Sequence, residues 1–168
     1  MTRRGRIVNV GHPHHVIQRG SRRQTVFFTE FDRKDYLRTL KEQSGRFSLD
    51  IWAYCLMPNH IHLIVVPHRR DSLWRAMGET HRLYAVRINK KFEWRGHLWQ
   101  ERFNSFPLDE KHLFYAVRYV ERNPVRANMT AKAEDYPWSS AWDHVHHNKN
   151  PLLTRFVLLD EIPDWEKY

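Results

Sequence analysis

His60 and His62 flank one apolar residue, Ile61, at the head of the apolar run Leu63-Ile64-Val65-Val66. In a β-strand, residues i and i+2 project from the same face, so this spacing predicts two imidazoles side by side with Ile61 turned to the opposite layer. Such a pair is a candidate divalent-metal site. With 12 His in the chain, the same pattern also reads as an ordinary strand with two histidines on its polar face, so neighbouring groups must decide. Farther along, Tyr119 and Asn123 are spaced i, i+4, which on a helix puts them on one face, a turn apart. Two imidazoles and an amide oxygen leave positions open for phosphate oxygens on a cation acting as Lewis acid and template. Tyr119 would then be a nucleophile. A phenol is mostly protonated at neutral pH, and a nearby cation favours its phenolate. The plainer role for Tyr119 is an amphipathic ring with its hydroxyl at the rim of the core. By spacing alone Tyr115, one turn earlier, is equally placed. His144-Val145-His146 repeats the three-residue pattern in an expected helix or loop, where i and i+2 diverge by about 200° and the histidines read as solvated. His12-Pro13-His14-His15 reads as a surface segment.

The elements that must position these groups follow from pattern and punctuation. His15-Val16-Ile17-Gln18 is a short strand, closed by a Gly20-Ser21-Arg22-Arg23 turn and followed by the apolar stretch Val26-Phe27-Phe28. Thr29, three residues before Asp32, predicts a helix N-terminus, with Leu37, Leu40 and Phe47 turned inward and Gly45 near the end. Residues 51–57 read as a strand apolar on both faces, and Pro58-Asn59 turns it into the His60–Val66 strand as a hairpin. Ser72 caps a helix with the stripe Leu73, Met77, Tyr84 and Ile88. Leu98–Phe103 is the expected fourth strand. Asp109 caps a third helix from Glu110 to about Arg122 with Leu113, Val117 and Val120 inward, and Pro124 disfavours helix at Asn123. Strand, helix, strand, strand, helix, strand, helix is the order of an α+β, ferredoxin-like split βαβ sandwich with an appended helix carrying the tyrosine. Its first and third strands are central, which sets His60 and His62 mid-sheet, opposite the face under the first two helices.

The chain has 168 residues, a length that suits one domain, with a core over about residues 12–142 and a C-terminal tail from 143 to 168. One cysteine excludes an internal disulfide, and no charged-then-apolar leader opens the chain, so the expected compartment is the cytoplasm. Apolar runs are too short to cross a bilayer. Lys and Arg number 28 against 19 acidic residues, a net charge of +9 that points to a polyanionic partner. Arg3, Arg4, Arg6, Arg19, Arg22 and Arg23 crowd the opening, and guanidinium forks match phosphate oxygens in pairs. Arg4, Arg6, Arg22 and Arg23 are the candidate DNA contacts, although a solvated basic face has the same composition.

His60-Ile61-His62 is similar to the histidine, hydrophobic, histidine motif of HUH single-strand nucleases. Leu56–Leu63 together with Arg118-Tyr119-Val120-Glu121-Arg122-Asn123-Pro124-Val125-Arg126-Ala127 resembles the single-tyrosine transposases of the insertion-sequence and REP-associated type. Residues 15–20, 98–103 and 135–140 add to the resemblance in the same order. It implies a ferredoxin-like fold, Mg²⁺ or Mn²⁺, metal ligation by His60, His62 and Asn123, and attack by Tyr119 rather than Tyr115 on a scissile phosphate of single-stranded DNA. The implied product is a 5′-phosphotyrosine link with a free 3′-hydroxyl that can rejoin or transfer strands. Hairpin DNA as partner, and a homodimer in some members, are also implied. The alternatives are a non-catalytic hairpin-binding module, and a relaxase or replication-initiator nickase that makes one cut.

Overall fold

The computed structural model describes residues 8–156, 158–162, 164, 165 and 167, so Arg4 and Arg6 lie outside the described residues. Four strands, β1 (His14–Arg19), β2 (Leu49–Met57), β3 (His60–Pro67) and β4 (Asn104–Pro107), form one sheet in the order β2-β3-β1-β4. Every neighbouring pair is antiparallel. Between them run α1 (Glu30–Arg46) and α2 (Ser72–Phe92), and α3 (Glu110–Glu121) follows β4. This is the ferredoxin-like split βαβ arrangement, with β1 and β3 central as the element order predicts.

Local chemistry explains the boundaries. Thr29 Oγ1 accepts from Asp32 N while Asp32 Oδ2 accepts from Thr29 N, a reciprocal capping box that satisfies two donors at the start of α1. α1 runs one residue past Gly45. At α2 the capping position falls to Asp71, and Ser72, its first residue, instead accepts from the Arg69 amide. α3 ends at Glu121 because Arg122 leaves helical geometry, with φ −88° and ψ 5°. The chain then resumes as a short turn, α4 (Asn123–Arg126), with Pro124 near its start where a missing N–H costs no helical bond.

One face of the sheet packs Val16, Leu56, Ile61, Leu63 and Val65 against Tyr36 and Leu40 of α1 and Leu73, Met77, Tyr84 and Ile88 of α2. Each large apolar side chain buried there contributes about 1.5–3 kcal/mol. The expected strand at 98–103 is not one. Leu98, Trp99 and Phe103 are buried in this core, and the Trp99 indole donates to the His81 carbonyl, so the segment plugs the layer beneath α2. It pairs with the sheet through an isolated bridge, Gly20 to Trp99, and the edge strand begins at Asn104.

Among the described residues, the opposite face is covered over its β2 side. Ala53, Cys55, Met57 and Ile64 pack on Leu113, Val117 and Val120 of α3. The C-terminal segment joins them: Phe156, Ile162, Trp165 and Leu158 of α6 (Leu158–Glu161) bury against the same layer. α5 (Ala141–Val145) connects the two, preceded by Ser140. Toward β1 and β4 no described element covers this face, with Asn104 exposed and Phe106 52% exposed. No helix among the described residues is long and apolar enough to cross a membrane.

Candidate active site

The two histidines stand at the boundary between the covered and open halves of this face. Cys55 pairs with His62 and Met57 with His60 on one side, while Ile17 pairs with His62 and Arg19 with His60 on the other. Directly paired residues share a face, so β1 contributes His15, Ile17 and Arg19 to the same floor. The imidazoles of His60 and His62 are 5.0 Å apart between ring centroids.

Each ring is held through its Nδ1. His60 Nδ1 lies 2.6 Å from Asn59 Oδ1, and because Asn59 Nδ2 donates to the Arg23 carbonyl at 3.1 Å, the amide oxygen must face the imidazole. An oxygen that only accepts makes His60 Nδ1 the donor. His62 Nδ1 lies 3.0 Å from His15 Nε2, with the two rings stacked at 5.2 Å. When His62 Nδ1 carries the proton of that bond, both ligand candidates present a bare Nε2 lone pair. Hydrogen-bonded partners of this kind fix the orientation and tautomer of metal-binding imidazoles.

The electrostatics favour neutral rings. Burial pushes His62 down to about 3, helped by the nearby charges of His15, His60, Arg19 and Arg126, and burial with Arg19 lowers His60 to about 4. Burial alone takes His15 to about 4. All three are therefore uncharged at neutral pH, the form in which an imidazole binds a cation. Among the described residues no group of three or more His, Cys, Asp and Glu converges on one point. The donor set is two imidazoles, completed by oxygen from an amide or a substrate. That set suits an oxygen-loving divalent ion with open positions, and it lacks the thiolates or third imidazole of a closed structural site.

Tyr119 stands over this floor. Its ring centroid is 5.5 Å from that of His62 and 6.0 Å from that of His15, edge-on to both. It is 39% exposed, so its ring is open to solvent. The Arg126 guanidinium sits 4.7 Å from the ring centroid, a cation–π contact that brings positive charge beside Tyr119. Tyr115 is 60% exposed and its ring contact is with Phe114, away from the histidines. The structure thus separates the two tyrosines that spacing left equal.

Asn123 lies just beyond the end of α3. The break at Arg122 puts it at the start of α4, 9% exposed, and its carboxamide hydrogen-bonds neither histidine. Arg22 and Arg23 are exposed on a 3₁₀ turn, Ser21–Arg23, both in the left-handed region with φ of 52° and 59°. Two such residues in succession cost of order 1–3 kcal/mol each. The turn is held regardless, because Gly20 N donates to the Asn59 carbonyl and the Val26 and Phe27 amides donate to the Pro58 carbonyl.

Two histidine segments differ from expectation. His14 is buried and His15 belongs to the site, so the 12–15 stretch is not simply surface. His144 is buried, with Nδ1 2.5 Å from Glu121 Oε1, and only His146 is exposed. Sequence reading also missed Arg126. His15 had a usable signal: strand alternation through His15, Ile17 and Arg19 beside β3 brings it to the face of His60 and His62.

A family model described as "Transposase IS200 like" matches residues 10–123. A Haemophilus influenzae protein named for the REP-associated tyrosine transposases is 24% identical over 118 residues, spanning 63% of this chain and 66% of that relative. A solved structure of a REP-associated tyrosine transposase bound to a REP hairpin superposes with a TM-score of 0.73 at 19% identity, covering 94% of this chain and 93% of that one, a likeness of fold. With two thirds of its length matched by that model, the chain belongs to the IS200-like transposase family.

Proposed function

We propose that the chain is a metal-dependent endonuclease and strand transferase that acts on single-stranded, hairpin-bearing DNA through a 5′-phosphotyrosine intermediate. The observation that carries this reading is the Tyr119 ring poised 5.5 Å from His62, above two imidazoles whose Nδ1 atoms are already engaged. Family membership and the hairpin bound by the relative of similar fold support the choice of substrate.

His60 and His62 would hold Mg²⁺ or Mn²⁺, with Asn123 as third donor by its place in the family motif. When bound, the cation supplies Lewis-acid polarisation of the scissile phosphate. The phenol oxygen of Tyr119 forms a bond to phosphorus as the bond to the 3′ oxygen breaks. The phenol loses a proton and the departing 3′ oxygen gains one, leaving a tyrosyl 5′-phosphate ester and a free 3′-hydroxyl. Attack by a 3′-hydroxyl reverses the step, so the energy of the phosphodiester is retained and no nucleotide triphosphate is required. Arg126 and Arg19 flank the floor and offset charge on the phosphate oxygens.

Incubating the protein with Mn²⁺ and a 3′-fluorescein hairpin strand carrying unpaired flanks tests this. A covalent adduct resolved by denaturing electrophoresis is expected from the wild type and from Tyr115→Phe, and none from Tyr119→Phe. An adduct that survives Tyr119→Phe would remove Tyr119 from the mechanism. Products joined to a second strand separate a transferase from a single-cut nickase.

A further inference from the structure

Beside the histidines, the sheet opens into a cavity of about 410 Å³ lined in part by Arg19, Arg23, Gln100, Arg102 and Asn104. Its origin is a wide bulge. The β1–β4 ladder ends at Ile17 opposite Asn104 and touches again only at Gly20 opposite Trp99, so four residues, 100–103, stand against two, Gln18 and Arg19. The bulge is held open from within. The buried Gln18 amide donates to the Glu101 carbonyl at 2.9 Å, the Gln100 N–H donates to the Arg19 carbonyl at 2.9 Å, and Phe103 is anchored in the core.

The lining has a definite chemistry. Arg38, Arg75, Arg82 and Arg87, on the helices, each pair with a carboxylate. Arg19, Arg23 and Arg102 have no carboxylate partner among the described residues, and against their three positive charges the cavity wall holds one acidic residue, Glu101, for a balance of +2. Gln100 and Asn104 are exposed, and their carboxamides are committed to no other described side chain. Guanidinium groups beside uncommitted amides match a phosphate joined to a hydrogen-bonding base. The cavity also adjoins the histidine floor, since Arg19 stands opposite His60 in the ladder and Asn104 opposite Ile17, the partner of His62. The strained Arg23 conformation aims one wall of the cavity and is tied to the site through the Asn59 amide.

We propose that this cavity is a nucleotide subsite that takes one unpaired nucleotide of the DNA strand next to the scissile phosphate, its base against Gln100 and Asn104 and its phosphates against Arg19, Arg23 and Arg102. The assignment rests on the single-strand nuclease reading above and deepens it. A filled subsite sets the register of the strand, and so decides which phosphate meets Tyr119.

The test uses the full chain and a fluorescein-labelled hairpin with a single-stranded flank, in EDTA, so that binding is read without chemistry. An abasic residue is walked along the flank and affinity is measured by anisotropy. One position is expected to lose about tenfold or more, the scale of a lost base contact. In the Gln100→Ala/Asn104→Ala variant, whose altered residues are exposed, that penalty should shrink to less than about twofold. Arg102→Gln should weaken every flank alike and lower the slope of log affinity against log salt by about 0.7. A flat abasic scan, or a penalty undiminished in the double variant, overturns the subsite. The adduct assay separates this from the parent reading: an adduct with a flat scan removes only the subsite, and a position-specific penalty without adduct supports the subsite and removes the chemistry.

Discussion

The chain writes histidine, apolar residue, histidine twice, and the two copies do unrelated things. At 60–62 the backbone is a central strand, so both rings rise from one face, His62 held by His15 of β1 and His60 by Asn59 of the turn, with the Tyr119 ring 5.5 Å from that of His62. At 144–146 the backbone leaves a helix, so the rings part company. His144 goes inward to Glu121, whose Oε1 also accepts from Ser140 and whose Oε2 accepts from the Trp165 indole, while His146 lies on Trp142 at the surface. The first copy makes a surface that can react. The second fastens the C-terminal segment to the helix that carries Tyr119. The lesson is that a spacing becomes a site only through the period of the backbone that bears it.

Substitutions at matched positions sharpen this contrast. The largest effect should come from His62→Ala, which is expected to weaken Mn²⁺ binding more than about 100-fold by calorimetry, beyond the loss typical of an outer partner. Unchanged affinity would place the cation elsewhere. His144→Ala should do the opposite, sparing Mn²⁺ affinity and costing about 2–3 kcal/mol in urea denaturation, because a buried carboxylate loses a donor and a cavity opens. A normal denaturation midpoint would show that Glu121 does not need this ring.

His15→Ala should weaken Mn²⁺ binding by about 10–100-fold without removing a ligand, since it frees His62 to rotate. The pH profile gives a smaller effect. His15, His60 and His62 are depressed to about 4, 4 and 3 in the folded chain, so above pH 6.5 they are neutral whether folded or not. As pH falls below 6.5 the unfolded chain takes up protons that the folded chain refuses, and stability declines until about pH 4 to 3. Thermal melting of metal-free protein should therefore fall across that window, and less steeply in a His15→Asn/His60→Asn/His62→Asn variant. An equal slope in the variant would assign the pH response to other groups. The smallest change belongs to His146→Ala, expected within about 0.5 kcal/mol of wild type. A larger loss by denaturation would show that the Trp142 contact holds the helix end.

Much of this was legible in residue order. The Thr29 capping box, the Leu73–Ile88 stripe and the turn at Pro58-Asn59 are local signals, and they appear where pattern places them. Residues 98–103 carry a strand-like pattern, yet Leu98, Trp99 and Phe103 are apolar for a different reason, filling the layer under α2. The true edge strand, Asn-Ser-Phe-Pro, is short and ends in proline, as exposed edges often are. The tail gave no pattern because Phe156, Leu158, Ile162 and Trp165 dock singly rather than as one periodic face.

Sequence by itself determined what one chain segment can settle: that His60 and His62 share a face, that Tyr119 belongs to a helix, and that positive charge gathers near the first turn. Tertiary packing decided which nitrogen of each imidazole is left over, which tyrosine overlooks them, and that His15, 47 residues away along the chain, props His62. The reason is physical: period and capping are properties of neighbouring dihedrals, whereas a tautomer and a ring-to-ring approach depend on how separately formed layers come to rest against one another.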